Sequence, residues 1–219
     1  AVVVNSEKTY TERHATSITR PFAGLLRLPL KLFFDLLPAS APMYIYTTLL
    51  RPPLLRKPTN ALLRQIIPSE LRLPEGTLYL NPDDLVVSAA LSLGVYEVFF
   101  TAALRKRLTK GMTVVDIGAN LGYYTLIASA RAERVIAFEP EQANANLLEK
   151  TLAYNQRDNI TLIRKGLGEK TATLSLAVHP YNKGRHTFVN TDEKGVTSVE
   201  VEISTLDEEL LKLGSPKID

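Results

Sequence analysis

Short apolar runs alternate with longer mixed ones along the second half of this chain. Met112 to Ile117 is rich in Val and Ile and lies between two glycines, which predicts a buried strand. Tyr123 to Ala132 is apolar over a length that suits a helix. Arg134 to Phe138 predicts a second strand, Glu141 to Tyr154 a second helix, and Ile160 to Arg164 a third strand. Strands that alternate with helices of this length predict βαβ units, and so a parallel sheet with right-handed crossovers.

The period then shortens to two. Leu174, Leu176 and Val178 alternate with Thr173, Ser175 and Ala177, and Val199, Val201 and Ile203 alternate with polar neighbours. Two half-exposed strands paired antiparallel are expected, joined by the polar loop His179 to Gly195. Thr205-Leu206-Asp207-Glu208 is a capping-box pattern opening a short helix that ends near Gly214. Lys217-Ile218-Asp219 looks like the approach to another strand.

Upstream, the stretch from Leu71 to Leu80 predicts two short strands turning at Glu75-Gly76. Tyr96 to Leu108 predicts a helix with Val98, Phe99, Ala102, Ala103 and Leu108 on its apolar side and basic residues near its C-terminus. Residues 1–20 are polar without a period, and residues 21–74 are broken by prolines, so only short helices are expected there. The division that follows is an N-terminal arm, 1–69, and a main domain, 70–219. Leucines and phenylalanines interleave with Arg27 and Lys31 within residues 21–50. One reading is a peripheral membrane or substrate-docking segment; the other is a helical arm packed on the main domain. Arg27, Lys31, Asp35 and prolines interrupt the apolar stretch too often for a membrane span.

Composition narrows the chemistry. With no cysteine, thiolate metal sites, disulfides and cysteine nucleophiles are excluded, and a cytoplasmic protein is expected, membrane-associated if the first reading of residues 21–50 holds. The net charge of +3 is uneven: residues 1–74 hold ten Lys/Arg against four Asp/Glu, and the remainder is acidic. The basic character thus belongs to the arm, which argues against a nucleic-acid partner.

The informative segment is VVDIGANLGYYTLIA. A strand runs into Asp116, then Gly118, Asn120 and Gly122, then a helix. Glycines at the carboxyl end of such a strand let the backbone pass close to a ligand. Glu139 directly follows the second strand, where an acidic side chain accepts hydrogen bonds from ribose hydroxyls. A dinucleotide fingerprint would need glycine where Asn120 stands, and Asp116 would repel a pyrophosphate. No Lys-Ser/Thr follows the glycines, so a phosphate-binding P-loop is excluded. S-adenosylmethionine, with a sulfonium, an ammonium and a ribose, matches Asp116 and Glu139.

Four segments together resemble the FkbM family of methyltransferases: DLVVSAALSLGVYE, GMTVVDIGANLGYYTLIAS, RVIAFEPEQANANLLEKTLAYN and STLDEEL. The resemblance covers about residues 70–219. It implies an α/β, doubly wound, Rossmann-like sheet, S-adenosylmethionine as methyl donor, and O-methylation of a hydroxyl on a sugar, glycan or other small molecule. It places Asp116, Gly118, Asn120, Gly122 and Glu139 on the cofactor, Glu97 near it, and Lys165-Gly166-Leu167 by the adenine. The family continues with a further strand that this sequence does not reach, so the chain is expected to be an incomplete methyltransferase with an open sheet edge.

On the acceptor side, His186 in the polar loop and Glu97 are the candidate catalytic residues; His179 and His14 are given no such role. No His/Asp/Glu spacing supports a metal. Two other readings stay in view: a non-catalytic module that keeps the cofactor fold, and a nicotinamide-dependent oxidoreductase, which Asn120 and Asp116 disfavour.

Overall fold

The computed structural model describes residues 67–178, 187, 188 and 196–219, with Pro29, Leu36 and Arg64 as isolated positions. The expected arm before residue 67, with its 21–50 segment, lies outside the described residues, as do His14, His179 and His186.

The predicted hairpin is present: β1 (Glu70–Leu73) pairs antiparallel with β2 (Gly76–Tyr79). Two short helices follow, α1 (Val87–Ser92) and α2 (Val98–Arg107). Then comes the alternating unit: β3 (Thr113–Ile117), α3 (Tyr123–Ser129), β4 (Arg134–Phe138), α4 (Gln142–Tyr154) and β5 (Ile160–Ile163). The three strands form a parallel sheet in the order β3-β4-β5. A second sheet holds β6 (Gly166–Leu167), β7 (Ala172–Val178) and β8 (Thr197–Ser204). In it β7 and β8 pair antiparallel, as their alternation predicts, and β6 lies parallel to β8. The chain closes with α5 (Leu206–Lys212), whose N-cap Thr205 accepts the Glu208 N–H. The architecture is therefore α/β, with a parallel sheet and an antiparallel strand pair.

Helices α3 and α4 both lie against β2, so the hairpin covers the side of the sheet they occupy. Leu78, Leu126, Ile127 and Val135 meet there with no exposed surface. The free edge of β2 is satisfied by side chains of α4 and its C-cap: Thr77 N–H donates to Asn155, and Tyr79 N–H to Thr151. At the hairpin turn the buried Glu75 receives both arms of the Arg105 guanidinium, at 2.8 and 2.7 Å, with Arg131 at 3.4 Å. Arg157 donates to the Glu75 carbonyl at 2.6 Å. Burial by itself would raise the Glu75 carboxyl, but the hydrogen bonds and charge of Arg105, with Arg131, hold it below its usual value.

Helix α2 does not face the way its apolar residues suggest. Val98, Phe99, Ala102 and Ala103 are exposed, and the side turned inward carries Thr101, Leu104 and Arg105. The reason is polar. Thr101 shares a hydrogen bond with the Tyr123 hydroxyl at 3.3 Å, and Arg105 is committed to Glu75. A buried carboxylate left without its guanidinium costs more than exposing two alanines and a few larger apolar groups. These two ties fix the rotation of α2 and bring its N-cap residue, Glu97, to the start of α3.

Candidate functional site

A cavity of about 450 Å³ opens at the carboxyl ends of β3 and β4, a size typical of small-molecule sites. Of the residues expected on the cofactor, Asp116, Gly118, Asn120, Glu139 and Gly166 line it, and so does Glu97. Gly122 stands off the cavity wall. Its φ of 92° is left-handed, and a Cβ there would come within 2.3 Å of Leu148 Cδ1. That glycine lets α4 pack closely against the start of α3.

The turn after β3 is held entirely by the protein's own groups. Gly118 and Ala119 N–H both donate to the Phe138 carbonyl at 2.9 Å. Asn120 N–H donates to Glu139 Oε2 at 2.7 Å, and Leu121 N–H to the Asn120 side chain at 2.7 Å. Gly122 N–H donates to the Ala119 carbonyl at 2.9 Å. All five amides from Gly118 to Gly122 are thus engaged. Gly118 at φ 75° and Asn120 at φ 54° adopt the left-handed conformation that this wrapping needs, and Gly and Asn are the residues that adopt it at least cost.

Glu139 is buried and fixed from three directions. Besides Asn120 it accepts the Glu141 N–H at 2.9 Å and a long contact from the Asn144 side chain at 3.5 Å. Burial raises its carboxyl; the backbone donors of Glu141 and Asn120 oppose that. It therefore both anchors the loop and closes the start of α4, and it lines the cavity. Asp116 accepts the Thr125 hydroxyl at 2.6 Å on one oxygen, and burial raises its carboxyl too. Glu97 accepts the Tyr124 hydroxyl. Burial, then the bond to Glu97, raise the Tyr124 phenol far above its ordinary value, so it stays a donor. Tyr96, packed edge-on to Tyr123 at 5.6 Å, is pushed up to about 12 by burial and the charges of Glu97 and Asp84.

Among the described residues the cavity wall therefore carries three carboxylates, Glu97, Asp116 and Glu139, against one ammonium, Lys165. That ammonium is already paired with Glu202 at 3.3 Å and Glu209 at 3.4 Å. A wall of this kind attracts cations and repels phosphates. Gly166 has a packing reason as well: a Cβ there would meet Ile203 Cδ1 at 2.6 Å. Sequence reasoning did not single out Tyr96, Tyr124, Thr125, Asn144 or Phe188. Tyr124 and Thr125 lie in the quoted motif, but nothing in their spacing says that each would hold a carboxylate.

Comparison with known proteins bears on what this arrangement is. No curated protein matches the chain. Among solved structures it is similar to an rRNA methylase from Streptococcus thermophilus, with 22% identity, a TM-score of 0.30, and 31% of this chain and 41% of that one covered. A putative methyltransferase from Streptococcus mutans in complex with SAH gives 23%, 0.31, 32% and 39%. A methyltransferase FkbM from Methylobacillus flagellatus KT gives 18%, 0.33, 71% and 38%. The matches thus span about two fifths of each of those chains. Independently of these, a domain model described as the methyltransferase FkbM domain matches residues 116–219, from the carboxylate at the end of β3 onward. Over residues 116–219 the chain is similar to the FkbM methyltransferase domain family.

Proposed function

We propose that this protein binds S-adenosylmethionine in the cavity at the end of β3 and β4 and transfers its methyl group to a hydroxyl of a sugar, glycan or other small molecule. The observation that carries the cofactor half is the electrostatics of the wall. The Gly118–Gly122 amides are all spent inside the protein, so none is left to cradle a phosphate. What faces the cavity instead is carboxylate. Those acceptors fit a ligand bearing a sulfonium, an ammonium and two ribose hydroxyls, and fit a pyrophosphate poorly.

Glu139 would hold the ribose hydroxyls, Asp116 would face the positive end of the ligand, and the Lys165–Leu167 stretch would flank the adenine. When bound, S-adenosylmethionine supplies a methyl group made electrophilic by its sulfonium. The protein's part is to hold the acceptor oxygen in line, keep water out, and keep negative charge beside the cation. The acceptor class rests on the family resemblance, and His186 is retained as a candidate for taking the acceptor's proton.

Gly118→Val tests the floor of the site. A Cβ at Gly118 would meet no protein atom within 4 Å, so the fold has room for a side chain there; the ligand would not. The left-handed backbone at this glycine adds strain, so folding is monitored in parallel by circular dichroism. Loss of S-adenosylhomocysteine binding with the helical signal retained is expected. Normal binding by the folded variant would remove this turn from the cofactor site.

A further inference from the structure

We infer that Glu97 receives the charged amino group of the cofactor's aminoacyl end, and that Tyr124 is the residue that positions it. This rests on the S-adenosylmethionine reading above and takes Glu97 away from the acceptor's proton.

Three observations lead there. The first is pairing. Tyr124 and Thr125 are consecutive on the first turn of α3, and each holds one carboxylate by its hydroxyl: Tyr124 holds Glu97, and Thr125 holds Asp116. Glu97 and Asp116 both line the cavity, and the charges of both bear on Tyr96, whereas Glu139 is tethered at the end of β4. Carboxylates that share a cavity wall favour a cation. On the cavity wall, among the described residues, the available cation is Lys165, and it is engaged with Glu202 and Glu209.

The second is backbone. Glu97 has φ 39° and ψ 44°, a left-handed conformation unfavourable for a glutamate. It stands at the N-cap of α2, yet its side chain makes no capping bond. The carboxylate thus turns away from the helix it begins, toward Tyr124 and the cavity, and strained residues concentrate at ligand sites.

The third is surroundings. The Tyr124 ring packs against Tyr96 at 6.3 Å and Phe100 at 5.1 Å, so aromatic rings stand beside the carboxylate, and ring faces attract ammonium groups.

Two ligands isolate this contact: S-adenosylhomocysteine, and 5′-methylthioadenosine, which keeps adenine, ribose and sulfur but lacks the aminoacyl end. With both measured by calorimetry, Glu97→Gln should weaken S-adenosylhomocysteine about tenfold or more and leave 5′-methylthioadenosine within about twofold. Tyr124→Phe should give a smaller loss with the same ligand pattern. Equal loss for both ligands, or no loss for either, overturns the assignment while leaving the cofactor reading standing. Failure of the unmodified protein to bind either ligand overturns both.

Discussion

Strands β3 and β4 are five residues each, similar in composition, and adjacent in the sheet, yet they live in different surroundings. In β4, Val135, Ile136, Ala137 and Phe138 are at most 1% exposed. In β3 the first four residues are half-buried and Ile117 is 60% exposed. The difference is neighbours. β4 is hydrogen-bonded on both sides, to β3 and β5. Among the described residues β3 has β4 as its one strand partner, and its other side meets Asp219, whose N–H donates to the Thr113 carbonyl and whose carboxylate accepts the Thr113 N–H. The lesson is that apolar composition chooses a strand, whereas place in the sheet decides how much of it is buried.

The same contrast extends to the site. The carboxylate after β4, Glu139, is locked by amides of two segments and doubles as an anchor; the one within β3, Asp116, is held, among the described residues, by hydrogen bonds from Thr125 alone. The sharpest way to break the comparison is to truncate matching residues. Ile136→Ala should cost about 2–5 kcal/mol in urea unfolding, because it opens a cavity in a closed layer. Val115→Ala should cost about 1 kcal/mol, and Ile117→Ser within about 0.5 kcal/mol. Equal costs at Ile136 and Val115 would mean that β3 is as enclosed as β4.

At the site, Glu139→Ala should weaken S-adenosylhomocysteine by about 2–3 kcal/mol, the loss of a charged acceptor from two hydroxyls. Unchanged affinity would leave Glu139 as a structural anchor alone. The hydrogen bonds it makes to Asn120 and Glu141 mean that the variant's melting temperature belongs in the same experiment.

A smaller effect concerns pH. Burial raises both Asp116 and Glu139. A carboxyl whose folded pKa lies above its unfolded one favours the protonated folded state. Stability contributed by that proton is present at low pH and is lost as pH rises from the unfolded to the folded value. A cationic ligand prefers the ionised form, so its binding runs the other way: affinity should fall as pH drops from about 7 through the raised carboxylate range. Glu139→Gln should flatten part of that dependence. Affinity that strengthens in acid would contradict the carboxylate wall.

Much of this was legible in the sequence. Alternating strands and helices, the hairpin at Glu75-Gly76, the period-two pair and the Thr205 cap follow from local patterning and turn chemistry, which need no knowledge of partners. That Asp116 and Glu139 line the cavity was legible because both sit at strand ends, where clefts open in such sheets. The rotation of α2 was not. It depends on Arg105 reaching a hairpin thirty residues earlier in the chain, and on Thr101 meeting Tyr123, neither of which a helical stripe records. Tyr124 and Thr125 escaped for a similar reason: an apolar helix start reads as core, and only the fold shows each hydroxyl holding a carboxylate. Gly122, read as part of the cofactor turn, has its clearest reason in Leu148, a residue from the next helix.

The central claim is that the cavity is built for a cation-bearing nucleoside and not for a phosphate-bearing one. Calorimetry of S-adenosylhomocysteine and NAD against the same protein preparation tests it most directly. The account predicts that S-adenosylhomocysteine binds at least about tenfold more tightly than NAD, a difference of about 1.4 kcal/mol or more. NAD bound as tightly as S-adenosylhomocysteine, or neither ligand bound at all, would contradict it.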